Sequence, residues 1–153
     1  MAGRAGRGAR RGLVLLQTRF SGHPCLDAIV GHDFEAFART ELATRRQLGF
    51  PPFGFLALMR AESVHTDAAL EFLARVRDAA GHCAGARGSV EVMDPVPAPM
   101  ERRAGRARAQ LMFQSRHRAA LRALLQTLVR RIEDEAMARR VRWSVDVDPV
   151  DLY

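Results

Sequence analysis

Lysine is absent from this 153-residue chain, in which all 24 basic residues are arginine. A phosphate-binding loop that ends in Gly-Lys-Ser or Gly-Lys-Thr is therefore excluded. With 17 acidic residues the formal net charge is +7, and the isoelectric point is about 11.2. Because guanidinium groups bind phosphates in a bidentate manner, this surplus favours a polyanionic partner. The choice of arginine over lysine is itself explained by codon bias in a GC-rich genome.

Cysteine and long apolar runs are also scarce. The two cysteines, Cys25 and Cys83, lie far apart and predict neither a zinc site nor a disulfide, which favours a reducing cytoplasm. The five histidines show no metal-ligand spacing, so no metal site is expected. The run "LVLL" at residues 13–16 is too short for a secretory signal, and no stretch of about 20 apolar residues could cross a membrane. We expect a cytoplasmic protein that binds no membrane.

The chain changes character at a pair of prolines. Before them, "GLVLLQT" (residues 12–18) predicts a buried strand, and the apolar spacing from Pro24 predicts a short helix followed by a longer one that Asp33 caps. Pro51 and Pro52 then end the second helix.

Beyond the prolines, apolar periodicity predicts the order β-α-β-β-α-β, which is typical of a ferredoxin-like α+β domain with both helices on one face of an antiparallel sheet. The strands are expected at residues 54–63, 89–96, 110–114 and 140–150, the helices at 65–82 and 115–138, and a polar loop at 97–109. In the second helix Leu121, Leu124, Leu125, Leu128 and Ile132 form the apolar stripe.

The polar loop is the strongest candidate for a nucleic-acid contact. It carries Arg102, Arg103, Arg106 and Arg108 around Gly105, after the proline-rich "PVPAP". Guanidinium groups on an extended hairpin can follow a phosphate backbone, although no aromatic residue interleaves them for base stacking. The alternative is a solvated loop whose charges only maintain solubility.

Two further charged groups are candidates for binding. Arg118 and Arg122 are four residues apart on the second helix and could hold a carboxylate, or they could simply belong to its polar side. Asp146 and Asp148 of "DVDP" are expected on one side of the last strand, in a structural role rather than as metal ligands. No complete active site is visible in the chain.

Five stretches in the same order resemble the C-terminal part of the PriA family of bacterial replication-restart helicases, also called primosomal protein N′. These are "AGRAGR", "GLVLLQT", "RRQLGFPPFGFLALMRAE", "DPVPAPMERRAGRARAQLMFQ" and "WSVDVDP". The resemblance implies that residues 1–20 are the end of the second RecA-like helicase lobe, residues 21–50 a helical connector, and residues 51–153 a C-terminal domain that is similar to a small-subunit ribosomal protein.

In this family "GRAGR" ends the sixth helicase motif, so the resemblance implies that Arg4 and Arg7 are the arginines that reach the γ-phosphate of ATP. It also implies ATP with magnesium, and zinc, for the whole family protein, but their binding motifs are not present in this chain. We therefore expect the opening "MAGRAGRGARRG" to be a cut end, and this chain to bind no cofactor and to have no ATPase activity alone.

The resemblance further implies partners for the C-terminal domain: branched or single-stranded DNA, the acidic tail of single-stranded DNA-binding protein, and other primosome proteins. In the family an arginine on the second helix holds the terminal carboxylate of the tail, and Arg118 matches it best, with Arg122 second. The expected location is the bacterial cytoplasm, at the nucleoid.

Two other classes of protein remain open. One is a stand-alone RNA-binding or ribosome-associated module with the same fold and hairpin. The other is a mitochondrial matrix protein, because no acidic residue precedes Asp27, although glycines interrupt the amphipathic helix that a transit peptide needs.

Overall fold

The computed structural model describes residues 14–20, 22–65, 67–83, 88–134 and 138–150. The chain forms two compact units, residues 1–42 and residues 43–153. Arg4 and Arg7 lie outside the described residues. In the described part, no helix has the length and apolar character that crossing a membrane requires.

The first unit contains helix α1 (Pro24–Val30) and most of helix α2 (Phe34–Leu48), and neither helix buries a side chain. The Asp33 carboxylate accepts a hydrogen bond from the Ala36 N–H at 2.9 Å, so Asp33 caps α2 as predicted. Residues 14–20 form no strand, and the strand predicted for residues 12–18 is therefore wrong over its described part. No strand in the described part of the chain pairs with this segment, and Leu15 is 85% exposed.

The second unit is a five-stranded antiparallel sheet with two helices. Its elements in chain order are β1 (Phe55–Ser63), α3 (Ala68–Gly81), β2 (Val90–Val92), β3 (Val96–Arg103), β4 (Arg106–Ser115), α4 (Arg118–Glu133) and β5 (Arg142–Val147). The strands lie side by side in the order β2–β4–β1–β5, and β3 also pairs with β4. The β5 strand therefore forms one edge of the sheet, and β2 and β3 share the other.

The additional strand β3 corrects the prediction for this region. The sequence predicts one strand at residues 89–96 and a polar loop at 97–109, whereas the chain pairs with β4 twice, as β2 and again as β3. Pro97 and Pro99 lack N–H donors, which made the segment resemble a loop, but an edge strand tolerates proline. The pairing with β4 is irregular between Pro97 and Arg102.

The two faces of the sheet differ in what covers them. We call the face that packs against α3 and α4 the helix face; it carries Ala57, Met59 and Phe113, each fully buried. The opposite face, which we call the distal face, carries Arg60, Glu62 and other residues that alternate with them. Both helices contact each other and the central strands β1 and β4, so the main hydrophobic core lies on the helix face. On the distal face, Leu56 and Leu58 of β1 are also buried.

Leucines dominate the helical side of this core. The stripe predicted for α4 is confirmed, since all five of its residues are buried. In α3, Leu73, Val76 and Ala80 are buried, Leu70 is only half-buried, and Phe72 is 1% exposed. The Phe72 ring also contacts Trp143 of β5, with ring centroids 6.4 Å apart.

A tight connection joins α2 to β1. Gly49 ends α2 with φ at +66°, a conformation that favours glycine. A side chain at Gly54 would collide with the carbonyl oxygen of Gly49, so this close approach also requires glycine. The Arg46 guanidinium lies 4.6 Å from the ring centroid of Phe53, and the Gln114 amide donates to the carbonyl oxygen of Leu48 at 2.6 Å.

Candidate functional site

The four arginines of the predicted loop lie at the tip of the β3–β4 hairpin. Arg103 and Arg106 are directly opposite each other, and Ala104 and Gly105 between them have φ values of +49° and +74°. Positive φ at both central residues suits the twist of a two-residue hairpin. The turn therefore brings guanidinium groups from two strands close together at one end of the sheet.

The hairpin arginines divide between the two faces. Opposite residues of an antiparallel pair share a face. Arg103 and Arg106 are opposite each other on the distal face, whereas Arg102 is opposite Ala107 and lies on the helix side. Among the described residues, none of these three arginines has an ion-pair partner. They are therefore available to an anion in solution.

Arg108 differs from the other three. Its Nε atom donates to Glu62 Oε1 at 3.1 Å, and its side chain is only 15% exposed. The partner is on the neighbouring strand β1, directly opposite Arg108. This guanidinium is partly neutralised, so it is a weaker candidate for phosphate contact than Arg103 or Arg106.

A second candidate surface is an apolar groove of about 520 Å³ along α4. Leu121, Leu125 and Val129 of α4 line it together with Val145 and Val147 of β5. Three arginines of α4 stand at its border: Arg118, Arg122 and Arg130. At about 1.5 Å per helical residue they extend over roughly 18 Å of the helix. Charge and apolar surface thus lie together in one elongated groove.

Arg118 is held in place by two contacts. Its guanidinium lies 4.8 Å from the centroid of the Phe55 ring, and its Nη2 atom donates to Asp148 Oδ2 at 2.8 Å. The side chain remains 67% exposed. Because a guanidinium has five N–H donors, donors remain for a second carboxylate. Arg122 follows one helical turn later, as predicted. Phe55, Arg130 and Asp148 were not assigned to this site from the sequence.

The two aspartates of "DVDP" do not lie on one side of the strand, and that prediction is wrong. Asp146 pairs with Arg60 at 2.8 Å on the distal face, whereas Asp148 pairs with Arg118 of α4. The strand ends at Val147, and Asp148 has φ at +55°, so the alternation of the pleat stops before it. Each carboxylate serves one arginine.

The described residues hold no cluster of three or more His, Cys, Asp and Glu side chains that could bind a metal ion.

Arg77 forms a separate charged cluster on α3. It pairs with Asp78 at 2.8 Å and with Asp94 at 2.6 Å. Hydrogen bonds to Asp78 and then to Asp94 raise the pKa of Arg77 above its ordinary value. This cluster connects α3 to the segment between β2 and β3, outside the groove and the hairpin.

The hairpin and the groove define an α+β domain with two arginine-rich surfaces suited to anionic partners. Residues 46–150 match the family model of the primosomal protein N C-terminal domain, and the chain belongs to this family.

Its relatives are replication restart proteins. PriA of Haemophilus influenzae is 36% identical over 156 residues, which cover 99% of this chain and 20% of the relative. PriA of Bacillus subtilis is 28% identical over 149 residues, which cover 97% of this chain and 18% of the relative. PriA of Synechocystis is 31% identical over 153 residues, which cover 99% of this chain and 17% of the relative. The chain thus spans about a fifth of the length of the curated relatives that it matches.

Proposed function

We propose that this chain acts in replication restart as the C-terminal region of a PriA-type helicase, and that it contributes binding rather than ATP hydrolysis. Membership in the primosomal protein N C-terminal family and the printed names of its relatives support this role. Unwinding of DNA driven by ATP would belong to the whole protein, in which Arg4 and Arg7 would reach the nucleotide. The chain alone should give no ATP hydrolysis above a blank.

The architecture of the second unit supports a ferredoxin-like domain with a likeness to a small-subunit ribosomal protein. The strand order β2–β4–β1–β5 and the placement of both helices on one face fit two split β-α-β units, with β3 as an addition at the edge. We retain residues 51–153 as this domain, residues 21–50 as a helical connector and residues 1–20 as the remnant of a RecA-like lobe.

The groove along α4 is the principal site that we propose, and its partner is the acidic tail of single-stranded DNA-binding protein. The observation that carries this proposal is the combination of three arginines with an apolar floor. Arg118, positioned over Phe55, would receive the terminal carboxylate, and Arg122 would add a second contact. Apolar side chains of the tail would then cover Leu125, Val145 and Val147.

The affinity for the tail should be modest. Asp148 already engages Arg118, and the tail carboxylate must share or displace that contact. By resemblance, residues of the helicase lobe complete the pocket in the whole protein. The groove of this chain therefore represents one side of the binding site.

A titration by fluorescence anisotropy with a labelled acidic tail peptide tests this site. Arg118→Ala should weaken binding about tenfold, and Arg122→Ala less, because each removes a charge-assisted hydrogen bond. Arg131→Ala is the matched control: Arg131 is exposed on the same helix but does not line the groove. Amidation of the peptide's C-terminus should reproduce the loss. Equal binding by Arg118→Ala, Arg122→Ala and Arg131→Ala would rule out the groove.

The hairpin supports a second function, the binding of branched or single-stranded DNA. The specific observation is the pair at the turn, the exposed Arg103 and the half-buried Arg106, with no ion pair in the described residues. Guanidinium groups in this arrangement can contact successive phosphates. With these partners and other primosome proteins, the chain would act in the bacterial cytoplasm, at the nucleoid.

Binding to forked DNA, single-stranded DNA and an RNA hairpin at matched salt tests the second function. A chain with Arg102, Arg103 and Arg106 changed to Ala should lose its affinity for DNA, while Arg75→Ala, on the exposed side of α3, should not. Preference for the RNA hairpin over forked DNA would favour the stand-alone RNA-binding module instead.

A further inference from the structure

The register of the strands brings a fifth arginine onto the face that carries the hairpin pair. Arg142 of β5 is directly opposite Glu62 of β1, and Glu62 is opposite Arg108 of β4. Because opposite residues share a face, the three side chains form one row across the distal face. Arg103 and Arg106 stand next to this row, at the hairpin turn.

The row joins three neighbouring strands, β5, β1 and β4, and Arg103 stands beyond it on β3, at the other edge of the sheet. Neighbouring strands are about 4.8 Å apart, so β5 and β3 are separated by roughly 14 Å. Leu56, at the opposite end of β1, is buried, and the Gln114 side chain there is bonded to Leu48. Arg142 is exposed. The accessible part of the distal face is therefore the end that carries the arginines.

Two acids of this end are paired, whereas the exposed Glu101 of β3 has no ion pair within the described residues. Glu62 accepts from Arg108, and Asp146 accepts from Arg60 at 2.8 Å. Arg142, Arg103 and Arg106 have no ion pair within the described ranges, so the face has a net excess of guanidinium groups. An excess of this kind attracts a polyanion rather than a protein surface of mixed charge.

We propose that the distal face continues the DNA site of the hairpin, and that Arg142 binds the phosphodiester backbone of a DNA strand that crosses the sheet from the hairpin turn to β5. The proposal rests on the proposed binding of DNA by the hairpin and extends it by a residue 36 positions further along the chain than Arg106. Arg108 also contacts the phosphodiester backbone beside Arg142, but its ion pair with Glu62 weakens this contact.

The aromatic residues determine what this face can recognise. Phe55, Phe113 and Trp143 of the paired strands alternate onto the helix face, where Phe113 is fully buried. No ring is therefore offered to a base from these strands on the distal face. The contact is with phosphates, and binding is independent of base sequence.

The dependence of binding on salt measures this contact directly. Each phosphate contact to single-stranded DNA contributes about 0.7 to the slope of log K against log salt concentration. With the 153-residue chain and a labelled single-stranded oligonucleotide, Arg142→Ala should reduce the steepness of this slope by about 0.7, as removal of a hairpin arginine should. Arg142→Lys, which keeps the charge, should restore most of it.

A variant of opposite sign sharpens the test. Glu62→Gln removes the carboxylate at the centre of the row and releases Arg108, so it should tighten binding and steepen the slope. Arg75→Ala removes one positive charge, as Arg142→Ala does, but from α3 on the other side of the sheet. It should leave the slope as in the unchanged chain.

The outcomes separate this inference from the function on which it rests. If Arg103→Ala with Arg106→Ala flattens the slope while Arg142→Ala behaves as Arg75→Ala, the DNA contact is confined to the hairpin and the inference is overturned. If none of these changes affects binding, the DNA function of the hairpin fails as well. A flatter slope for Arg142→Ala together with a steeper slope for Glu62→Gln supports a continuous site from the hairpin to β5.

Discussion

Helices α2 and α4 are similar in length and pattern but differ in what they bury. Both are amphipathic, with 15 and 16 residues, and both carry arginines in the last turn. Helix α4 buries five apolar side chains, whereas α2 buries none, and Phe34 at its start is 76% exposed. The pattern of a helix thus predicts which face is apolar, while only tertiary structure decides whether that face is covered.

The same contrast separates the two units. Most of the large apolar side chains that are exposed in the described chain lie in the first unit: Val14, Leu15, Leu16, Phe20, Ile29, Val30, Phe34 and Leu42. The second unit, in contrast, has a closed core and places its arginines, rather than its leucines, at the surface.

The largest difference between α2 and α4 should appear on truncation of one leucine in each. Leu128 of α4 is fully buried, so Leu128→Ala should reduce the free energy of unfolding by about 2–5 kcal/mol. Leu42 of α2 is 43% exposed, and Leu42→Ala should change the free energy of unfolding by less than about 0.5 kcal/mol. Urea unfolding followed by circular dichroism measures both; a similar loss in the two variants would show that α2 is covered.

A smaller effect is expected at the cap of α2. Asp33→Ala removes the acceptor of the Ala36 N–H and should weaken α2 by about 1 kcal/mol. Because α2 buries nothing, the loss should remain local. Amide hydrogen exchange should therefore accelerate within α2 and stay unchanged in β1 and β4. Faster exchange throughout the sheet would mean that the two units unfold together.

The smallest effect on stability is expected at Phe34. Phe34→Gln should change the free energy of unfolding by less than about 0.5 kcal/mol, because the ring is largely exposed. It should, however, reduce the binding of a dye that reports apolar surface. Phe72→Gln, at a ring with 1% exposure, should instead unfold the second unit. A large loss of stability on Phe34→Gln would contradict the contrast between the helices.

The elements predicted best are those with a strong local signal. Asp33 as a helix cap, the leucine stripe of α4 and the proline pair each act within a few residues, so the sequence contains them in full. The strand predicted at residues 12–18 failed over its described part, and so did the loop predicted at 97–109, because strand formation depends on a partner elsewhere in the chain. Pairing with β4 makes β3 a strand in spite of Pro97 and Pro99.

The candidate sites show the same limit. The spacing of Arg118 and Arg122 predicts a shared helical face, and Gly105 between basic residues predicts a turn. The sequence does not reveal that Arg108 pairs with Glu62, 46 residues away along the chain. Nor does it reveal that Arg118 pairs with Asp148, 30 residues away. Only the register and the ends of the strands determine which charges are paired and which remain available.

The prolines of β3 have a consequence for crowded chains. A bare strand edge can act as a template on which a second copy adds its own strand and polymerisation continues. Pro97 and Pro99 interrupt the row of donors that such growth needs along the β3 edge. Many copies that bind to one polyanion at high local concentration would thus be hindered from joining edge to edge along β3. The arginines of the hairpin would then stay accessible.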